Sequence, residues 1–328
     1  MANLNAEFAT FDEQIKLDWD DAGVLRERRD VILRRLHDHL GGPSFDPCNQ
    51  GSYDLRTGVH PLQGDYDIDV ALRFNTTIDA WPDPVALKQR VLAALEGFGS
   101  DARVRQSCVT VFYRRGDEPL YHVDLAVYAH DAQGHLHLAV GKVGATAELK
   151  SWVPADPQAL GDHIDARFQG EDKAQLRRVL RCLKRWKDVR FSSEGDAAPK
   201  GIGLTAAALQ WFRVNHMMDP VDSRMHYDDA AALLAFVQRM HANANPRLVA
   251  RLPVVPFSDP FTRMNDRQME IFRDELAHLE TALRAAHDDN DPAQASETLR
   301  RLFGADFPRA GSKPRRKTAA IVSSGSAA

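Results

Sequence analysis

Gln50-Gly51-Ser52-Tyr53-Asp54-Leu55-Arg56-Thr57, followed by Gly64-Asp65-Tyr66-Asp67-Ile68-Asp69-Val70-Ala71-Leu72, is the stretch that reads most sharply. From Tyr66 onward, polar and apolar residues alternate as in a half-buried strand. Ile68, Val70 and Leu72 form a core-facing set, which leaves Asp67 and Asp69 together on the opposite face. Two carboxylates side by side among apolar neighbours repel each other and are costly unless a cation sits between them. Oxygen-only ligands suit a hard ion such as Mg²⁺. Asp124 is a third acid inside an apolar strand, Tyr121-His122-Val123-Asp124-Leu125-Ala126-Val127-Tyr128. If the two strands are neighbours, three carboxylates share a face and two ions roughly 3.5–4 Å apart could be held. Upstream, a Gly51-Ser52 turn opening a short helix offers backbone N–H groups and a hydroxyl to a phosphate, and Gly permits close approach. Asp65 reads as a turn residue.

Around this stretch the chain divides into a mixed, sheet-bearing half and a helical half. Phe8 to Leu40 carries a helical pattern, read as one long N-terminal helix packed across both halves and ended by Gly41-Gly42-Pro43. Ser44 to Gly64 is turn-rich. Pro84 to Phe98 reads as a helix, and Val104–Arg114, Tyr121–Tyr128 and His135–Val140 as strands. After Pro154, helices are expected over Gln158–Phe168, Asp172–Val189, Leu204–Met217, Asp228–His241, Asp266–His287 and Pro292–Phe303. The division expected is 1–155 as a sheet-bearing lobe, 156–308 as a helical lobe and 309–328 as a disordered tail of basic and small residues.

The chain has 328 residues, which as a soft prior suggests about two domains. Its 44% apolar and 27% charged residues exclude wholesale disorder. The 42 basic and 46 acidic residues sum to −4, so there is no global basic field to coat nucleic acid. Cys48, Cys108 and Cys182 are far apart and form no CxxC, so they read as buried thiols without a zinc cluster or disulfide framework. The N-terminus has early acids and no apolar run, and no stretch approaches a membrane span. A cytoplasmic protein with no membrane partner is expected.

The pattern GSYDLRTG…DYDIDVAL, then HVDLAVYA, resembles nucleotidyltransferases of the polymerase β-like superfamily. Within it the chain is most similar to the oligoadenylate-synthase branch and the bacterial cGAS/DncV-like enzymes (CD-NTases) of anti-phage (CBASS) signalling. Leu183-Lys184-Arg185-Trp186-Lys187 resembles the Lys-x-Trp helix of that branch. Gly203-Leu204-Thr205 resembles the start of its next helix, and Leu252–Pro256 with Asp259-Pro260-Phe261 its late loop. The resemblance covers about residues 8–303 and lies nearest to the clades making cyclic trinucleotides (CdnC/CdnD-like). It implies an α+β fold, in which a polymerase β-like nucleotidyltransferase lobe and a helical lobe are bridged by the long N-terminal helix. It further implies a catalytic and metal-binding triad of Asp67, Asp69 and Asp124 holding two Mg²⁺ ions, with Mn²⁺ as a substitute. Ser52, with Gly51 and Gln50 beside it, would bind the donor nucleotide. Lys184 would reach the triphosphate, and Thr205 stands where the branch often has Ser. The implied product is cyclic tri-AMP or cyclic AMP-AMP-GMP from ATP and GTP. Implied partners are HORMA-domain and Trip13-like regulatory proteins, with activation by DNA or a peptide-bound partner, and conjugation at the C-terminus.

Plainer readings stand beside these. Arg177, Arg181 and Lys184 share one helix side, which fits either a solvated face or a phosphate-facing stripe. Thr205 fits a helix N-cap equally well, and Asp124 could be a buried acid paired to an Arg. His135 and His137 lack a third ligand nearby and read as surface histidines. Trp152, Trp186, Trp211 and Tyr227 read as packing residues. Alternative functions are a cyclic dinucleotide or linear oligoadenylate synthase, an RNA-end nucleotidyltransferase, or a catalytically silent nucleotide sensor.

Overall fold

The structure, a computed structural model, describes residues 3–17, 21–62, 66–97, 101–115, 118–191, 198–218, 223 and 225–311. Asp65 and the tail from 312 onward lie outside the described residues. The chain opens with two helices, α1 (Asn5–Ile15) and α2 (Asp21–His39), where the pattern suggested one long helix. The helical ladder stops because backbone groups at 15–17 find partners elsewhere. Lys16 turns extended and bridges Val59, Leu17 N donates to Gly58 O, and His60 N donates to Ile15 O. The two pieces serve different cores: Phe8, Phe11 and Ile15 are buried in the helical half, Ile32 and Leu36 under the sheet.

The sheet is built from β1 (Phe45–Gln50), β2 (Tyr66–Thr77), β3 (Asp101–Val104), β4 (Val109–Arg115), β5 (Glu118–His130), β6 (Leu136–Val140) and β7 (Ser151–Pro154). Its order is β1-β2-β5-β4-β3, with β6 pairing β5 and β7. Among the described residues, β2–β5 is the one parallel pair of this sheet and the other pairs are antiparallel. Strand β1 falls inside the stretch read as turns. Trp152 lies on β7, where its indole donates to Trp81 O.

Parity decides the two faces. Ile68, Val70 and Leu72 on β2 and Val123, Leu125 and Val127 on β5 are buried with α2 and α4 (Pro84–Ala94). The residues between them, Ala71, Ala126 and Tyr128, form a small apolar patch on the other face. Asp67, Asp69 and Asp124 continue that same face, as period-two alternation requires.

The helical half holds α5 (Ala159–Arg167), α6 (Gly170–Arg190), α7 (Gly201–Trp211), α8 (Asp229–Ala242), α9 (Asp266–Asp288) and α10 (Pro292–Phe303), numbered to follow the four-residue helix α3 (Gly51–Asp54) and α4. Helix α7 ends at Trp211 rather than Met217. The buried Gln175 amide takes both backbone groups of Asn215, accepting from its N at 2.9 Å and donating to its O at 2.9 Å. Held extended there, the chain enters a small hairpin, β8 (His216–Met218) with β9 (Met225–Tyr227). At the far end, Arg309 pairs with Glu297, and Ala310 N donates to Ser296 Oγ, so the first tail residues are tied to α10. No helix among the described residues is long and apolar enough to cross a membrane.

Candidate active site

The parallel pairing of β2 and β5 sets Asp69 directly opposite Asp124, with Asp67 opposite His122. On the other side of β2, Gln50 at the end of β1 is opposite Asp69. The chain then turns at Gly51 with φ +66°, directly over the Asp69 side chain. A Cβ at Gly51 would come within 2.2 Å of Asp69 Oδ2, so only glycine lets the turn lie this close. Ser52 follows in α3. The sheet ladder and the glycine together therefore bring a Gly-Ser turn onto the carboxylates.

Asp67 is exposed, and Asp69 and Asp124 are half-buried. Burial, then the charges of Asp67 and Asp124, push the Asp69 carboxyl up from its usual range to about 7. Such a site is short of positive charge. Thr110 on β4, in register with Asp124, donates its hydroxyl to Asp124 Oδ1 at 2.6 Å and so ties one carboxylate oxygen. Tyr128 Oη donates to Gln50 Oε1 at 2.9 Å, fixing the residue that caps α3. Burial raises the Tyr128 phenol well above its ordinary range, so it stays protonated as a donor.

No group of three His, Cys, Asp or Glu side chains among the described residues is gathered as a finished metal cage. The donor set nonetheless fits a hard divalent cation: acidic oxygens on one face, mutually repelling, with the Asp69 carboxyl raised to about 7 by burial and then by its two acidic neighbours.

A cleft of about 700 Å³ opens in front of these acids and is walled by both halves. Gln50, Gly51, Ser52, Asp67 and Asp69 line it from the sheet side, Lys184 and Thr205 from the helical side. Asp124 is joined to the group through its register with Asp69. Lys184 is buried on α6, and its Nζ donates to Thr57 O at 2.8 Å and Thr57 Oγ1 at 2.9 Å. Burial, with Lys187 nearby, lowers its ammonium to about 8. Thr205 sits inside α7, not at its N-cap, because the helix begins at Gly201; its hydroxyl donates to Gly201 O. A larger cleft, about 820 Å³, shares Leu17, Ser52 and Gly58 with this one and holds none of the three carboxylates.

Thr110 and Tyr128 escaped the reading of the sequence. Each is a polar side chain at an apolar strand's site-facing parity, the same signal that exposes Asp124. Lys200 and Arg263 also line the smaller cleft, and nothing local in the sequence marks them out. His135 is exposed and pairs with Asp131, in keeping with a surface role. The three cysteines are free thiols, two of them buried.

Residues 46–128 match the family described as cyclic GMP-AMP synthase DncV-like, nucleotidyltransferase domain. No curated protein matches the sequence. Among solved structures, the Vibrio cholerae DncV cyclic AMP-GMP synthase superposes with a TM-score of 0.71 at 17% identity, covering 94% of this chain and 98% of that one. The same enzyme in complex with its linear intermediate gives 0.69 at 17% identity, with 90% and 93% covered. The Bradyrhizobium diazoefficiens CD-NTase CdnG in complex with GTP gives 0.70 at 20% identity, with 92% and 95% covered. The mixed sheet with its acidic face and the helical half thus make up the polymerase β-like fold of DncV. Residues 46–128 carry the match to a DncV-like nucleotidyltransferase domain, within a chain that has the fold of DncV and of the CD-NTase CdnG.

Proposed function

We propose that the chain makes a cyclic oligonucleotide second messenger, cyclic tri-AMP or cyclic AMP-AMP-GMP, from ATP with or without GTP. The observation that carries this reading is the Gly51-Ser52 turn lying on Asp69, itself in register with Asp124, across a cleft from Lys184. Asp67, Asp69 and Asp124 would hold Mg²⁺, or Mn²⁺ in its place. Bound there, the metal lowers the pKa of the attacking ribose hydroxyl and neutralises charge on the leaving pyrophosphate.

The chain's own residues do the rest. Ser52 Oγ and the backbone beside it bind the donor's β- and γ-phosphate oxygens. Lys184 offers a second cation to the triphosphate by leaving Thr57 or sharing its ammonium hydrogens with it. Asp124, with one oxygen tied by Thr110, presents the other to the attacking hydroxyl and takes its proton as the bond to the α-phosphorus forms. Gln50 and Thr205 line the nucleotide's path. Likeness to a cyclic AMP-GMP synthase favours, as a second reading, a cyclic dinucleotide product of the same chemistry.

The setting we propose is cytoplasmic anti-phage signalling with HORMA-domain and Trip13-like partners, activation by DNA or a peptide-bound partner, and conjugation at the C-terminus. Purified protein incubated with ATP, GTP and Mg²⁺ and resolved by mass spectrometry should yield a cyclic phosphodiester, with partner proteins added where the chain alone is silent. Asp67→Asn with Asp69→Asn should abolish it while the melting profile stays cooperative. Persistent product in that double variant would sink the site assignment.

A further inference from the structure

Three successive carbonyls after the Gly-Ser turn are each held by a base from one face of α6. Arg177 Nε donates to Leu55 O at 3.0 Å, Arg181 Nη1 to Arg56 O at 2.7 Å, and Lys184 Nζ to Thr57 O at 2.8 Å. Their spacing of four and three residues is that of neighbours on a helix surface. On the amide side the same residues close back on the turn: Leu55 N donates to Gly51 O, Arg56 N to Tyr53 O and Thr57 N to Ser52 O. The segment is thus sewn to itself through its amides and to the helical half through its carbonyls. It contains Arg56 at φ +55°, a backbone region that non-glycine residues seldom occupy and that needs outside support. Residues 58–60 are held in turn by α1's end, through Leu17 N to Gly58 O and the Lys16–Val59 bridge.

Lys184 lines the cleft that holds Asp67 and Asp69, whereas Arg177 and Arg181 line the larger cleft. The Arg181 guanidinium is committed to the protein, paired bidentately with buried Asp12 of α1 at 2.7 Å for each bond, while Arg177 is anchored through Nε on Leu55 O. We propose that Arg177 and Arg181 are positioning residues for the nucleotide's phosphates. They touch no substrate and fix the backbone that carries Gly51 and Ser52. The inference rests on the nucleotide-binding reading above. Position matters here because a phosphate-binding turn acts only through donors aimed at fixed oxygens.

The test compares wild type, Arg177→Ala and Arg181→Lys, the last keeping a cation opposite Asp12 so that the fold survives. Hydrogen exchange at residues 51–58 and calorimetric binding of Mg²⁺–ATP are read on each. Both variants should exchange faster at 51–58 than wild type, with the sheet core unchanged, and bind about tenfold more weakly. Where turnover is measurable, KM should rise with kcat at saturation little altered. Faster exchange with unchanged affinity overturns the inference, as does unchanged exchange. Wild type that binds no Mg²⁺–ATP overturns the nucleotide reading and this inference with it, which distinguishes the two failures.

Discussion

At the level of single residues, Gly51 and Asp69 form one unit. Gly51→Ala would place a methyl group where Asp69 Oδ2 stands, at a φ that L-residues avoid. A loss of about 1–3 kcal/mol of stability follows from strain at such a backbone position. A thermal melt reads it, and an unchanged melting temperature would mean that the turn does not lie on the carboxylate. Asp69 makes a second prediction, for protein stripped of metal. Its folded carboxyl is raised to about 7 from 3.8, so between these values the folded state keeps a proton that the unfolded state has lost. Stability therefore falls as pH rises through that window, and the penalty is complete above it. Asp69→Asn should melt like wild type near pH 4 and be more stable by about 2 kcal/mol at pH 8, after allowing for solvent at a half-buried carboxylate. A difference independent of pH would refute this. That the three acids share one face was legible, because acids at one parity of apolar strands are conspicuous. Thr110 and Tyr128 were not, since a hydroxyl in a strand is ordinary until its partner is known.

Among elements, the long amphipathic helices and the acid-bearing strands matched their patterns, because periodicity there extends over many residues. Helix α10 starts and stops at Pro292 and Phe303 as the pattern indicated. Elements fixed by distant partners were hidden. Strand β1, Phe45–Gln50, has polar residues and Pro47, and owes its extension to pairing with β2. The break between α1 and α2 depends on residues 58–60, and the end of α7 depends on Gln175, 40 positions before Asn215. That last dependence can be tested. Gln175→Ala leaves the Asn215 N–H without its partner, leaves the Asn215 C=O with the Asp228 N–H at 3.0 Å, and strips one donor from buried Asp229, for which Arg178 remains. The expected cost is about 1–2 kcal/mol, the usual penalty for orphaning one polar group in a half-buried place. Amide exchange at Asn215 and through the β8–β9 hairpin should accelerate first. Slow exchange at Asn215 in the variant would show that the helix ends there for another reason.

For the molecule as a whole, the division near residue 155 does not coincide with the boundary between the two cores, because α1 belongs to the core of the helical half. Leu4, Phe8, Phe11 and Ile15 are at most 5% exposed, yet they are buried among residues of α6 and the C-terminal helices. Phe8 meets Phe307 edge-on at 5.2 Å, and Phe11 lies 5.2 Å from Phe303 and 5.0 Å from Phe307. Four such side chains at about 1.5–3 kcal/mol each amount to roughly 6–12 kcal/mol. That is comparable with the about 5–15 kcal/mol that stabilises a typical domain. Asp12 from the same helix is also the counter-ion of buried Arg181, and loss of one partner of a buried pair costs about 3–5 kcal/mol. A fragment spanning 156–311 should therefore lack a cooperative melt, with its Phe303–Phe307 surface open to a hydrophobic dye. A peptide spanning residues 3–17, added in trans, should restore the transition, and the same peptide with Phe8→Ala and Phe11→Ala should not. A cooperative melt of the fragment alone would show that α1 is an accessory to the helical core. Its dependence on the peptide would make α1 a structural part of that core, reached across the turn that carries Ser52.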